Sequence, residues 1–177
     1  IPLLKDIKAQ ASTAVCEVAP MNNSTNLIVN SEAPPFNNAD IRRAMLLTID
    51  RQSFINILAQ GAGEAGGVME PAPGGVWGMP KELFDTVQGY GPDVAKNRAE
   101  AQALMKKAGY GPDNRLKLKV STRNHLLYRD PAVILIDQLK EIYIDGELDL
   151  VDTALWFNKV ARKDYSVGLN TTGNGVD

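Results

Sequence analysis

Between Leu116 and Leu169 the spacing of apolar residues switches repeatedly between two periods, and this alternation constrains the fold more than any other feature of the chain. Leu116, Leu118 and Val120 alternate with Lys117, Lys119 and Ser121, the period-two signature of a strand with one covered face. Asp130-Pro131 then offers an N-cap followed by proline at the first helical position, and Ala132, Leu135, Ile136, Leu139 and Ile142 or Tyr143 make a stripe at helical spacing. Leu148 and Leu150 alternate with Glu147 and Asp149 in a second strand, Asp145-Gly146 making the turn before it. Thr153 can cap a helix running to about Arg162, and Tyr165 to Leu169 reads as a third strand. Strand, helix, strand, helix, strand is the pattern of an α/β fold with a parallel or mixed sheet flanked by helices.

The upstream half supplies more helices. Pro2 with Leu3, Leu4 and Ile7 suits a short opening helix. Ala14–Val18 and Leu27–Val29 are β-prone runs separated by the turn formers Pro20 to Ser24. Beyond Pro34-Pro35, the side chains of Asn37, Asn38 and Asp40 can cap a helix to about Ile49 whose inner face is Ile41, Ala44, Met45 and Thr48. Asp50 can cap the next, through Leu58, with Phe54, Ile57 and Leu58 at helical spacing and Gly61 past its end. Residues 61 to 92 are rich in Gly and Pro and read as irregular, a length that points to a functional or bridging segment. Asn97 and Glu100 form a capping-box pair ahead of Ala101, Leu104, Met105 and Ala108, with Gly109 as the stop.

Composition removes several classes of function. The 177 residues suit one domain or one lobe of something larger. Nineteen basic and twenty-one acidic residues leave a net charge of −2, and the cations are scattered, which argues against a nucleic-acid groove. The longest apolar run, Ala132 to Ile136, is far short of the roughly 20 residues that span a bilayer, so membrane insertion is not expected. A single Cys16 and a single His125 provide neither an internal disulfide nor a metal-ligand set, and no cofactor is expected. The start at Ile1 and the Gly/Asn-rich end at Asp177 read as an excised piece.

The remaining motifs are weak. Gly61-Ala62-Gly63-Glu64-Ala65-Gly66 matches a dinucleotide fingerprint by letters, but a helical pattern precedes it and Pro71 and Pro73 follow, so a flexible turn is the better reading. His125 is the one possible histidine base; without a Gly-x-Ser-x-Gly elbow, a loop histidine or ligand contact is favoured over catalysis. Trp77 reads as an aromatic plug for its Gly/Pro loop, and Trp156 as core. The sequons at Asn23 and Asn170 read as chance matches in loops.

The order of several segments resembles a known family. Asn26-Leu27-Ile28-Val29-Asn30, Pro34-Pro35-Phe36, Ile41-Arg42-Arg43-Ala44-Met45 and Ile49-Asp50-Arg51 are followed by Gln60 to Gly63, Pro71 to Gly78 and Ala108-Gly109-Tyr110. Leu139-Lys140-Glu141-Ile142, Val151-Asp152 and Trp156-Phe157 complete the series. Together, over residues 25 to 177, these resemble the family 5 extracytoplasmic solute-binding proteins of ABC importers, the dipeptide, oligopeptide and nickel type.

The resemblance implies a chain of roughly twice this length or more, with two α/β lobes closing on a solute. Residues 1–24 would be the inter-lobe connecting segment, and 25–177 the second, C-terminal lobe, incomplete at its C-terminal end. The segments Ser121 to Tyr128 and Gly168 to Asp177 would face the cleft, which makes Asn124, His125, Tyr128, Asn170, Thr172 and Asn174 the candidate ligand-binding residues. Dipeptide-binding members have a Trp after the glycine resembling Gly168 and an Asp near Asn174. Here those positions read Leu169 and Asn174, and an uncharged Asn lacks the ion pair that a desolvated ammonium group needs. The family also tends to have Gly near Tyr143, where Asp145-Gly146 stands in here.

The implied function is non-enzymatic capture of a small polar solute in the periplasm and its delivery to a membrane permease. A peptide or peptide-like compound is expected, with a sugar or metal chelate as other solute classes. The competing expectation is an α/β hydrolase or transferase domain using His125 as general base.

Overall fold

In a computed structural model of the chain, which describes residues 2–16, 23–67, 69 and 75–173, the alternating segment forms the expected α/β unit. The elements run α1 (Pro2–Gln10), β1 (Asn23–Val29), α2 (Ala39–Thr48), α3 (Arg51–Ala59), α4 (Lys81–Phe84), α5 (Val94–Lys107), β2 (Leu116–Arg123), α6 (Leu126–Lys140), β3 (Ile144–Val151), α7 (Thr153–Ala161) and β4 (Val167–Gly173). One mixed sheet has the order β1-β4-β2-β3. β2 pairs in parallel with both β3 and β4, whereas β1 pairs antiparallel with β4.

This strand order decides where the helices go. The crossover from β2 to β3 steps one way along the sheet, and that from β3 to β4 steps back past β2. Right-handed crossovers in opposite directions put α6 and α7 on opposite faces. α6 therefore shares the main core with α2 and α5, built on Phe36, Met45, Met105, Leu135, Leu139 and the inner side chains of β2. Trp156 of α7 is fully buried but lies outside that cluster. Along β2, Leu116, Leu118 and Val120 are buried between exposed lysines, and at its end Ser121 and Thr122 are buried too, because both faces are covered there.

Several boundaries differ from the sequence expectations for local reasons. α5 starts one turn before Asn97, because the Asp93 carboxylate accepts from the Lys96 amide at 2.9 Å. α6 starts at Leu126 and not after Asp130, so Pro131 lies inside it. The end of β2 sets that start: the Asn124 amide donates to Val151 O, and the amides of Tyr128 and Arg129 donate to His125 O. Asp152, one residue before Thr153, caps α7. Ala14 to Cys16 are not a strand, and the rest of that expected strand lies outside the described residues.

β1 begins at Asn23, inside the expected turn, because β4 offers partners as far as Gly173. Both sequons consequently lie in paired strands and not in loops. Ile57 is exposed, and α3 packs through Phe54. The 61–92 segment contains the short α4. Trp77 is 71% exposed and plugs nothing among the described residues. The turn before β3 is made by Tyr143 itself, at φ 64, while Gly146 sits in the strand where an added Cβ would meet Ile136 at 3.0 Å.

Two polar ties hold the helical layer. The Asp50 amide donates to Gln138 Oε1 at 2.8 Å, Gln138 Nε2 donates to Asp50 O at 3.1 Å, and Thr48 Oγ1 donates to Gln138 O at 3.2 Å. Arg51 donates to Gly89 O at 2.6 Å and lies 3.5 Å from the Tyr90 ring centroid; burial lowers its pKa, against which Tyr90 acts. Leucine at 138 would leave two backbone groups of Asp50 without partners. Since each such group costs about 1–3 kcal/mol, Gln138→Leu is expected to destabilise the fold by roughly 2–4 kcal/mol in urea denaturation, despite its added apolar surface.

Candidate functional site

Because β2, β3 and β4 are parallel, their carboxyl ends share one edge of the sheet. The β2–β4 register pairs Val120 with Val167 and Ser121 with Gly168, and Thr122 Oγ1 continues the tie by donating to Leu169 O at 2.9 Å. One residue further, Arg123 Nη2 donates to Asn170 Oδ1 at 3.2 Å. The first turns of α6 and α7 leave from opposite faces and flank this point. The Arg123 guanidinium carbon lies 3.9 Å from the Tyr128 ring centroid on α6 and 5.3 Å from the Phe157 centroid on α7. Ligands of open α/β sheets bind where crossovers diverge, outside the carboxyl ends of the strands, and Arg123 occupies that place here.

Arg123 is held without a counter-charge. Its Nε is buried and has no hydrogen-bond partner, a situation that costs about 1–3 kcal/mol. Among the described residues none of the ion pairs includes Arg123. The cation is held by two aromatic faces and one amide oxygen, each of which orients it without neutralising its charge.

Of the residues expected from sequence, Tyr128 and Asn170 meet through Arg123. Thr172 follows Asn170 on the same face of β4 and accepts from Asn26 Nδ2 at 2.7 Å. Asn124 is exposed at the end of β2. Asn174 lies outside the described residues. His125 is exposed and caps α6, Nδ1 accepting from the Leu127 amide at 3.3 Å. That bond engages the Nδ1 lone pair and leaves the proton of the neutral ring on Nε2. The nearby Ser121 hydroxyl is instead committed to Asp149 at 2.6 Å.

Arg123, Phe157 and Asn26 are not among the ligand-binding residues expected from the sequence. The available signal was an arginine directly after a period-two strand, with an aromatic five residues on. The fingerprint-like glycines follow α3, and no helix opens within residues 62–67 to receive a phosphate. A polar groove of about 440 Å³ lies at the β3 edge beside α7. Within it Lys159 lies 3.5 Å from Asp149 and 4.0 Å from Asp164.

The sequence profile of the bacterial extracellular solute-binding proteins, family 5 Middle, matches residues 1–177. The chain belongs to this family. The probable deoxycholate-binding periplasmic protein YgiS of Escherichia coli is 32% identical over 128 residues, 70% of this chain and 22% of that one. The oligopeptide-binding protein OppA of Bacillus subtilis is 27% identical over 143 residues, 78% of this chain and 25% of that one. The crystal structure of Haemophilus influenzae OppA in complex with RPPGFSPFR superposes with a TM-score of 0.76 at 21% identity, over 97% of this chain and 33% of that one; it supports the fold. This family 5 chain thus spans a quarter or less of these two relatives and a third of the solved chain.

If the stack is as tight as its geometry indicates, Arg123 and Tyr128 are energetically coupled. A double-mutant cycle on Arg123→Ala and Tyr128→Ala, read by urea denaturation, should give a coupling of about 0.5–1 kcal/mol. A value near zero would show that the two side chains merely lie side by side.

Proposed function

We propose that this chain forms most of the second, C-terminal lobe of a two-lobed periplasmic solute-binding protein, with residues 1–24 connecting the lobes and 25–177 supplying one wall of the ligand cleft. The whole protein captures a small polar solute, a peptide or peptide-like compound, and delivers it to the permease of an ABC importer. The observation that supports this best is the convergence of Arg123, Tyr128 and Asn170 at the carboxyl edge of the sheet. Three polar groups meeting at one edge of the sheet, with the neighbouring Ser121 and Thr122 hydroxyls engaged elsewhere, suit gripping a solute. The relatives are named for small solutes, a peptide for Haemophilus influenzae OppA and deoxycholate for YgiS, which supports solute capture in general.

A rim of this kind is half of a site. A solute that touches both lobes stabilises the closed form by its differential affinity, and the closed form is what a permease can distinguish from the open one. The hydrolase or transferase alternative is not favoured: its one histidine caps α6.

Isothermal titration of the full-length protein with peptide, sugar and metal-chelate sets tests the reading. Binding of a peptide-like member is expected, at least tenfold tighter (about 1.4 kcal/mol) than binding by residues 1–177 alone. Substrate turnover with no solute binding would overturn it.

A further inference from the structure

Resting on that reading, we infer that His125 is a pH-sensitive cap: neutral, it orders the first turn of α6 and the Tyr128 ring at the rim, and protonated, it releases them, so that capture weakens in acid. The chemistry of the cap comes first. His125 Nδ1 accepts from the Leu127 amide at 3.3 Å, and the residue has the extended backbone of an N-cap, φ −150 and ψ 145. The other side-chain caps are Asn38, Asp50, Asp93 and Asp152, whose oxygens stay acceptors near neutral pH. An imidazole accepts only while neutral, since both nitrogens of the protonated ring are donors. Histidine makes that change between about pH 5 and 8. A cationic ring at a helix N-terminus also opposes the helix dipole. Protonation thus removes a bond and puts a repulsion in its place.

The first turn of α6 has little besides this cap to hold it. Leu126 and Leu127 are 58% and 70% exposed, Arg129 and Asp130 are exposed, and the buried part of the helix begins only at Pro131. Pro131 has no N–H to give to Leu127 O, so one rung is missing between the turn and the rest of the helix. The amides of Tyr128 and Arg129 both donate to His125 O at 2.9 Å, so these bonds too depend on where His125 sits. Tyr128, half-buried, is the one residue of the turn that reaches the rim, through its stack on Arg123. When the turn loosens, that ring is no longer pre-ordered, and a solute must supply the ordering itself.

The charged groups around His125 offer an imidazolium no relief. Arg123 ends β2, and the Tyr128 ring centroid lies 6.1 Å from that of His125. On α6, Arg129 and Asp130 pair with each other at 3.1 Å. Beyond β3, to which the Asn124 amide is tied at Val151 O, the Asp152 carboxylate accepts from the Ala154 amide to cap α7. Among the described residues none of the ion pairs includes His125. The order that the cap confers is therefore present while the ring is neutral and lost as pH falls and the ring gains its proton.

The test follows hydrogen exchange of residues 125–131 in the full-length protein at about pH 7.5 and about pH 5, with rates corrected for the intrinsic effect of pH. His125→Asn keeps an acceptor at both values and His125→Ala at neither, so the two variants bracket the unaltered protein. It is expected to match His125→Asn at the higher pH and His125→Ala at the lower, exchanging about fivefold faster there. Isothermal titration with RPPGFSPFR, the peptide bound to Haemophilus influenzae OppA, should show affinity falling in acid by about threefold more in the unaltered protein than in His125→Asn. Should a variant fail to fold, the unaltered protein decides by NMR: the Leu127 amide resonance should titrate together with the His125 ring. An amide that stays in place while the ring titrates, or acid loosening equally large in His125→Asn, would overturn the cap. Loosening without the extra loss of affinity would overturn its control of capture. No binding of the peptide at either pH would defeat that control and count against the peptide reading beneath it, whereas the cap stands or falls by the exchange.

Discussion

The parallel pairing of β2 with β4 is the constraint from which the rest of the architecture follows, and it depends on one absent side chain. At Gly168 an added Cβ would come within 3.0 Å of Ser121 O and 3.2–3.3 Å of Ile28. The two strands and the side chain of β1 meet there more closely than any other residue allows. That approach sets the register in which Thr122 reaches Leu169 O and Arg123 reaches Asn170. The site is thus a product of sheet geometry, and a shift of one residue in register would turn Asn170 to the other face.

The same pairing explains why the rim is both rigid and electrostatically incomplete. Arg123 is the last residue of β2, so its backbone is fixed by the ladder to β3, where it pairs with Val151. Its side chain is fixed by rings from helices that leave the sheet on opposite faces. Little rotamer freedom remains to the side chain, which is how a protein lowers the entropic cost of using a group for binding. What has been left out is the counter-charge. Asp149 on the neighbouring strand is occupied by Ser121 and Lys159.

Much of the fold was legible because it depends on periodicity and caps. The alternation of Leu116, Leu118 and Val120, the stripe from Ala132 to Leu139 and the caps at Asn38 and Asp50 all stand where the residues indicated. The failures share a cause. Asn97, Asp130 and Thr153 are plausible caps by local chemistry, but in each case an acid or His125 located earlier captured the first free amides, and tertiary ties at strand ends chose between them. Tyr143 takes the left-handed turn that favours glycine because its ring is packed against the core. The site was half legible: Tyr128 and Asn170 lie on segments that a resemblance could point to. Arg123 becomes conspicuous only when β4 and both helices are assembled around it, since no spacing in the sequence links residues 123, 157 and 170.

That half-legibility follows from how the fold distributes its work. Core positions announce themselves in sequence because each must repeat a spacing to stay on its face. A rim position has no such periodic constraint; it needs only to end a strand or begin a helix beside others that do the same. Arg123, Tyr128, Phe157 and Asn170 come from four elements, and the mixed topology β1-β4-β2-β3 is what brings them to one edge. At this edge the Phe157 ring is exposed beside Arg123, a cation that no acid pairs with among the described residues.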